Sequence, residues 1–370
     1  MNELEHTLNK DLCTLNEWAA RWLVKFNQTK NEVLLYDKNN SQISLRFGDS
    51  IIGNTQSHKH LGITFDTKKC WSSHIDNICK SALKHIGVLR KLKYTLSLEH
   101  LLKIYKTFIL PILEYGCEVW DGCTSFDISK LEKVQLEAAR LITGLPRFAK
   151  TEALYLESGL MSLQERRKIR KLCLFYKIKN GLALDFLQMF LPPTVSERTD
   201  YNLRNSSDYT DHFYRLESTK KSFIPSTLSL WNELHPTIQN QNTFTSFKNS
   251  LQNRNKTEPP PKYLNYGTRK LCIILTRLSH ECSQLNADLF KVSLSDSPIC
   301  RCGNGIENTH HFFANCSLYN LERDRLINNL TDFFPLTVET LMMGDANLSL
   351  NEKKNHYEVL KYIENTKRFA

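Results

Sequence analysis

Between residues 71 and about 180, apolar side chains recur every three or four positions, and this period restricts the possible folds more than any other feature. Ile75, Ile78, Cys79, Ala82, Leu83 and Ile86 form one stripe. Leu101, Leu102, Tyr105, Phe108, Ile109 and Ile112 form a second, which Pro111 should kink. Leu131, Val134, Ala138, Leu141 and Ile142 form a third, closed by Gly144 and Pro146. The reading is a helical bundle. Upstream, Leu8, Leu12, Leu15, Trp18, Ala19 and Trp22 share one face of a helix. Residues 32–36 and 43–47 are short β-forming runs on either side of the turn-rich 37–41, which predicts a hairpin. A further strand pair should include Ile51-Ile52 and residues 61–65. The five tryptophans, Trp18, Trp22, Trp71, Trp120 and Trp231, are read as core anchors.

The pattern then weakens. Residues 192–222 are polar and predict a long surface connection. A short ordered island follows at 229–234, around Trp231, and three successive prolines stiffen a second linker at 256–261. The last segment predicts a helix near 270–290, a Cys/His cluster at 300–316 and terminal helices. The expected fold class is α+β, mostly α: short N-terminal β-hairpins, a helical bundle, and a small C-terminal helical domain holding the cluster. The divisions fall at 1–70, 71–191, 192–262 and 263–370.

The cluster runs from Cys300 and Cys302 through Gly303, Gly305, His310 and His311 to Cys316. Structural zinc takes four thiolate or imidazole ligands at tetrahedral corners. Two thiols one residue apart, a glycine-containing turn, then His and Cys close together supply such a set. Spacing alone leaves His310 and His311 both open. Four protein ligands leave no water position, so the ion would be structural, and a lobe stapled this way should unfold without metal.

Forty-nine Lys+Arg against 39 Asp+Glu give a net charge of +10, a balance that favours polyanionic partners such as nucleic acid. The densest cationic run is Arg166, Arg167, Lys168, Arg170 and Lys171 on a predicted helix; a solvated helix face is the competing reading. Arg301, with Phe312 and Phe313, could add charge and stacking, although the two phenylalanines read first as a small core. No segment is a secretory signal or long enough to span a bilayer, and cysteine usage fits reduced thiols in nucleus or cytoplasm. There is no Asp-Asp doublet, Walker loop, HExxH or GxSxG. Asp66 and Asp121 stand alone and read as surface or capping acids; His58, His60 and His74 read as hairpin and helix-start residues.

Several segments, in consistent order, resemble the non-LTR (LINE-type, jockey-like) retrotransposon reverse transcriptases. Residues 8–36 resemble the stretch that follows that family's catalytic Asp-Asp loop. Residues 58–66, HKHLGITFD, resemble its primer-grip hairpin, with Leu61 and Gly62 at the tip. Residues 105–122 and 131–144 are similar to its thumb, and 229–238 to a tryptophan-containing segment in which His235 departs from the usual leucine. Residues 297–316 resemble its C-terminal zinc knuckle, where the histidine separated by four residues from the last cysteine is the ligand, implying Cys300, Cys302, His311 and Cys316. By this resemblance the fingers, most of the palm and both Mg²⁺-binding carboxylate motifs lie upstream of Met1. Residues 1–70 would then be a palm remnant with the primer grip, and 71–191 a thumb. The implied function is to hold RNA and DNA primer–template without polymerising alone, with zinc as cofactor and no membrane or small-molecule partner. A host-used zinc-knuckle interaction module is the alternative.

Overall fold

The computed structural model describes residues 2–27, 30–36, 41–199, 208–210, 213–254, 260–261, 266–330, 336–343 and 352–369. The fold is α+β and mostly helical. Helix α1 (Asn2–Arg21) packs Leu8 and Leu12 on a three-stranded sheet of β1 (Glu32–Leu34), β2 (Leu45–Phe47) and β3 (Ser50–Thr55), whose inward residues are Ile43, Leu45, Phe47 and Ile52. The strand order β1-β3-β2 corrects the expected hairpin between 32–36 and 43–47. β3 lies between those two runs, antiparallel to β2 (Leu45 opposite Ile52) and parallel to β1 (Val33 opposite Asn54). The tight connection is instead the two-residue turn between Phe47 and Ser50, where Gly48 has φ +60°. The turn expected at 37–41 lies, but for Ser41, outside the described residues. Asn9 on α1 completes the β2 edge: its Oδ1 accepts the Arg46 N–H (2.9 Å) and its Nδ2 donates to the Ser44 carbonyl (3.0 Å).

A separate hairpin joins β4 (Ser57–His60) to β5 (Ile63–Asp66), so residues 63–65 pair with β4 and not with Ile51-Ile52, and 61–62 form its turn. The bundle follows: α2 (Ser72–Leu92), α3 (Leu98–Ile104), α4 (Leu110–Glu114), α5 (Cys117–Trp120), α6 (Ser125–Thr143), α7 (Thr151–Ser158) and α8 (Leu163–Lys179). The three sequence stripes supply its buried face, apart from Leu83 and Phe108, which are exposed. Pro111 acts one turn early. Lacking an N–H, it leaves the helix a donor short, and residues 105–109 widen into a π turn in which Leu110 N–H reaches back to the Tyr105 carbonyl.

Beyond α8 the expected irregular connector contains more structure than its polarity predicts. α9 (Val195–Arg198) and α10 (Glu217–Lys220) are short, but α11 (Phe223–Asn232), α12 (Pro236–Gln239) and α13 (Phe244–Arg254) fold back on α8. They build a second core from Leu172, Phe175, Tyr176, Tyr209, Trp231 and Phe247. Tyr209 is held there by Asn232, whose side chain bonds both its N–H (3.1 Å) and its carbonyl (3.0 Å).

The C-terminal segment adds α14 (Arg269–Ser279), α15 (Asn286–Lys291), α16 (Asn320–Asn329), α17 (Val338–Met343) and α18 (Glu352–Asn365). The single helix expected at 270–290 is two. The chain breaks at Glu281 (φ +48°), and α15 restarts with the Glu307 carboxylate accepting the Asn286 N–H (2.8 Å). Arg269 and Arg277 hold α14 to the bundle by donating to carbonyls at the ends of α2 and α6: Lys93 (3.1 Å), Leu141 (3.1 Å), Ile142 and Gly144 (2.9 Å). One continuous apolar core consequently runs from α2 to α18. No helix among the described residues is long and apolar enough to cross a membrane.

The tryptophan expectation divides. Trp120 and Trp231 are fully buried and Trp71 half-buried, whereas Trp18 and Trp22 are 48% and 65% exposed, because α1 has only a small sheet to cover. Trp231→Ala is expected to cost about 3–5 kcal/mol in urea unfolding, while Trp22→Ala stays within about 0.5 kcal/mol. Equal effects at the two positions would contradict this packing.

Candidate metal centre and nucleic-acid interface

The cluster at 300–316 is shaped by its backbone before its ligands meet. The Cys300 N–H donates to the Gly305 carbonyl (2.8 Å) and the Gly303 N–H to the Cys300 carbonyl (2.9 Å), closing a turn whose Gly303 (φ +77°) and Gly305 (φ +135°) are permissive residues. Residues 311–315 then form a π turn, closed by the Cys316 N–H on the His311 carbonyl (2.8 Å). This widened turn carries His311 inward and leaves His310 exposed beside Asn315.

Sγ of Cys300, Cys302 and Cys316 and one ring nitrogen of His311 all lie within 4.8 Å of one another. The Cys300 and Cys316 sulfurs stand 3.6 Å apart, and Cys302 Sγ is 3.3 Å from His311 Nε2. Two thiolates about 2.3 Å from a tetrahedral zinc are separated by about 3.8 Å, so the set has the right span. The Asn304 N–H points at Cys302 Sγ (3.4 Å) and draws that thiol down to about 6, whereas burial pushes Cys300 up to about 12. Nearby, Glu307 is buried and bound through both oxygens by Arg368 (2.8 Å each), which fastens the chain end to the turn. Phe312 and Phe313 are buried with Tyr319, Tyr362 and Phe369 around them, and the Tyr362 hydroxyl donates to the Phe312 carbonyl (2.7 Å). They form core here, and Arg301 is exposed at the turn. The cluster is therefore no free-standing lobe; its aromatic residues belong to the core shared with the bundle.

Leu61 and Gly62 form the two-residue tip of the β4–β5 hairpin, both at positive φ (+47° and +85°), and Leu61 is 75% exposed. The Tyr115 hydroxyl donates to the Leu61 carbonyl (2.9 Å), and a Cβ on Gly62 would stand 3.1 Å from the Tyr115 ring. The tip is thus tied to the end of α4. Behind it a cleft of about 420 Å³ is lined by Lys59, Thr64, His74, Asn77 and Tyr115. His58 and His60 lie on β4, and His74 at the start of α2 accepts the Thr64 N–H on Nδ1 (3.2 Å). Burial holds the His74 imidazole below its usual range, so it is neutral at pH 7.

The cationic run on α8 meets acids that its sequence neighbourhood does not show. Arg166 forms a two-pronged pair with Glu114, Arg170 pairs with Glu118 (3.0 Å), and Arg167 Nε and Lys171 Nζ both reach Asp121 (2.7 Å each). Lys168 pairs with Glu165 on its own helix (2.5 Å). Arg167 and Lys171 are buried, the former with its guanidinium 5.8 Å from the Trp120 ring centroid. Asp121, expected on the surface or at a cap, is the bridging acid. The outer cations Arg166, Lys168 and Arg170 face solvent, and Arg166 and Arg170, with Lys177 and Lys248, line a groove of about 650 Å³ between α8 and α13. The acids at 114, 118 and 121 are spaced like one helix face, but Gly116 (φ +59°) interrupts that helix, which hid the match.

Three comparisons bear on the family. The chain is 28% identical over 153 residues to the probable RNA-directed DNA polymerase from transposon X-element of Drosophila melanogaster, covering 40% of this chain and 17% of that protein. It is 29% identical over 148 residues to the RNA-directed DNA polymerase from mobile element jockey of the same fly, covering 39% and 16%. A longer match, 22% over 331 residues and 87% of the chain, is to the Pol polyprotein of the type-1 retrotransposable element R1 from Bradysia coprophila, of which it spans 30%. The chain therefore spans about a sixth of the length of the first two relatives. No family model matches it.

Removing one partner of a buried ion pair leaves the other charge uncompensated. Asp121→Asn should therefore destabilise by about 3–5 kcal/mol in chemical denaturation, and Lys168→Ala, which cuts a solvent-exposed pair, by less than about 1 kcal/mol. Similar small losses for both would mean that the α8–α5 pairs contribute nothing specific.

Proposed function

We propose that this chain, whose homologues are the RNA-directed DNA polymerases of non-LTR retrotransposons, holds an RNA/DNA primer–template without extending it and carries a structural zinc. The observation that carries the zinc is the four-ligand gathering of Cys300, Cys302, His311 and Cys316. All four positions are protein side chains, so bound zinc would tether the turn to the π turn and supply no nucleophile. RNA and DNA as partners follow from what the relatives are named for.

A polymerase grips its duplex through the backbone and must accept every sequence. The groove cations Arg166, Arg170, Lys177 and Lys248 fit such a task, as do Lys59 behind the hairpin tip and Arg301 on the exposed turn. Leu61 and Gly62 present a rigid, tied tip for a strand end to rest against. Arg167 and Lys171 serve inward, holding α8 in place. Extension requires carboxylates free to bind Mg²⁺. Glu114, Glu118 and Asp121, which gather on α4, α5 and the residue after, are each matched by a cation of α8, which supports holding without extension.

Two measurements test this. Metal analysis of the purified chain should return one zinc per molecule, and the Cys300→Ser/Cys302→Ser variant should have lost it; a full complement in that variant would sink the ligand assignment. An RNA–DNA hybrid should be retained with an affinity that falls steeply between 50 and 200 mM salt, about ten-fold or more for each two to three phosphates contacted, with no nucleotide incorporated when Mg²⁺ and dNTPs are supplied. Salt-insensitive retention, or sustained incorporation, would refute the reading.

A further inference from the structure

The cationic run of α8 is matched by acids, and a second group of cations elsewhere is not. On α8 every member of the run Arg166, Arg167, Lys168, Arg170 and Lys171 except the intervening Ile169 has a carboxylate. A different cleft, of about 210 Å³, lies where the C-terminal ends of α2 and α6 meet α14, and Lys93, Arg140, Arg147, Arg269 and Arg277 line it. Its one acid is Glu137, which pairs with Arg90 (3.0 Å) outside the group. Among the described residues none of the five cations has an ion pair. Arg269 and Arg277 donate only to backbone carbonyls, and Arg140 Nε is buried without a hydrogen-bond partner.

The charge balance decides what such a cleft wants. Two helix C-termini contribute about half a negative charge each, so roughly four of the five positive charges stay uncompensated. Arg269 and Arg277 are largely removed from water, and burial pulls both guanidinium pKa values down, as it does for cations lacking an acid partner. They nevertheless stay charged at pH 7. A concave surface with that excess concentrates anions. Arg147 is exposed at the rim, and Lys93 stands beside the exposed ring of Tyr94 (4.6 Å to its centroid), so both can follow an extended ligand.

We infer that this cleft between α2, α6 and α14 is a second anchoring site for the phosphate backbone of a polynucleotide, separate from the groove beside α8. The inference rests on the nucleic-acid-holding reading above. It places the grip on the joint between the bundle and the C-terminal helices, so a bound strand would bridge both.

The test is anisotropy of a labelled RNA–DNA hybrid titrated with the full chain at several salt concentrations. Lys93→Ala/Arg147→Ala removes two rim cations whose side chains have no ion pair among the described residues. It should reduce the slope of log affinity against log salt by about two and weaken binding roughly ten-fold at low salt. Its thermal midpoint should be unchanged, and Arg147→Lys alone should bind as the parent does. A variant slope equal to the parent's, with the parent binding normally, overturns the cleft and leaves the holding function standing. A parent that binds no hybrid removes both. Titration with inorganic phosphate at constant ionic strength separates the sources: saturable uptake abolished by the double variant, with the hybrid slope unmoved, would overturn the assignment to a polymer backbone.

Discussion

The carboxylate of Asp121 is the contact on which the arrangement of α8 depends. It accepts from Arg167 and Lys171 on successive turns, and its removal would strand two cations among Trp120, Leu172 and neighbouring apolar residues. A paired charge in that setting contributes little net stability, but an unpaired one costs several kcal/mol, so the pair acts chiefly as a register constraint. Sliding α8 by one residue would break both contacts at once. That register sets two surfaces: Leu163 at the start of α8 joins the large core, while Leu172, Phe175 and Tyr176 receive α11 and α13. α8 therefore contributes to both cores.

What the sequence discloses follows from how local each feature is. The helical stripes of α2, α3 and α6 were legible because burial at a period near 3.6 is written in neighbouring residues. Gly144 marked the end of α6 correctly, and the structure adds that a Cβ there would meet Ile273 at 2.5 Å. The strand pairing was not legible, since a parallel partner for β1 lies some twenty residues away and no turn chemistry announces it. Trp18 and Trp22 misled for a related reason: a tryptophan reports that apolar area exists, not that a partner surface is available to cover it. The helices after α10 hid because their buried residues, such as Trp231, Phe247 and Leu251, are few and set in a polar background. Propensity alone could not outweigh the surrounding serines and asparagines.

The same distinction separates the two candidate sites. All four residues of the Cys/His set fall within one short segment, so spacing singled them out, and the choice of His311 over His310 came from the family resemblance. The π turn brings His311 beside the three thiols and leaves His310 exposed. The basic cleft, by contrast, draws Lys93, Arg140, Arg147, Arg269 and Arg277 from three distant stretches, none of them dense enough to stand out. The densest run was the poorer guide to free charge. A concentrated cationic helix invites acidic partners within its own fold, and here α4 and α5 provide them. A net charge of +10 gives the balance of the chain but not where the excess lies.

The Cys/His set and the core are coupled at the C-terminal end. Phe312 and Phe313 sit between His311 and Cys316 and are wholly buried against Tyr319, Tyr362 and Phe369. Arg323 donates to the carbonyls of both Phe313 (2.8 Å) and Cys316 (2.5 Å), and Arg368 clamps Glu307. An isolated knuckle depends on its ion for the whole of its stability, because it buries too little apolar surface to offset chain entropy. Here two phenylalanines lie inside a core that extends to α2, so the backbone around the π turn is already held from one side. The first half of the cluster, Cys300 to Gly305, has no such support beyond its own turn hydrogen bonds and the Glu307 clamp. Ligation would therefore act across an asymmetric junction, fastening a lightly supported turn to a segment that packing has already fixed. In such an arrangement a bound ion's main effect would fall on the orientation of the exposed Arg301 turn and less on the survival of the fold.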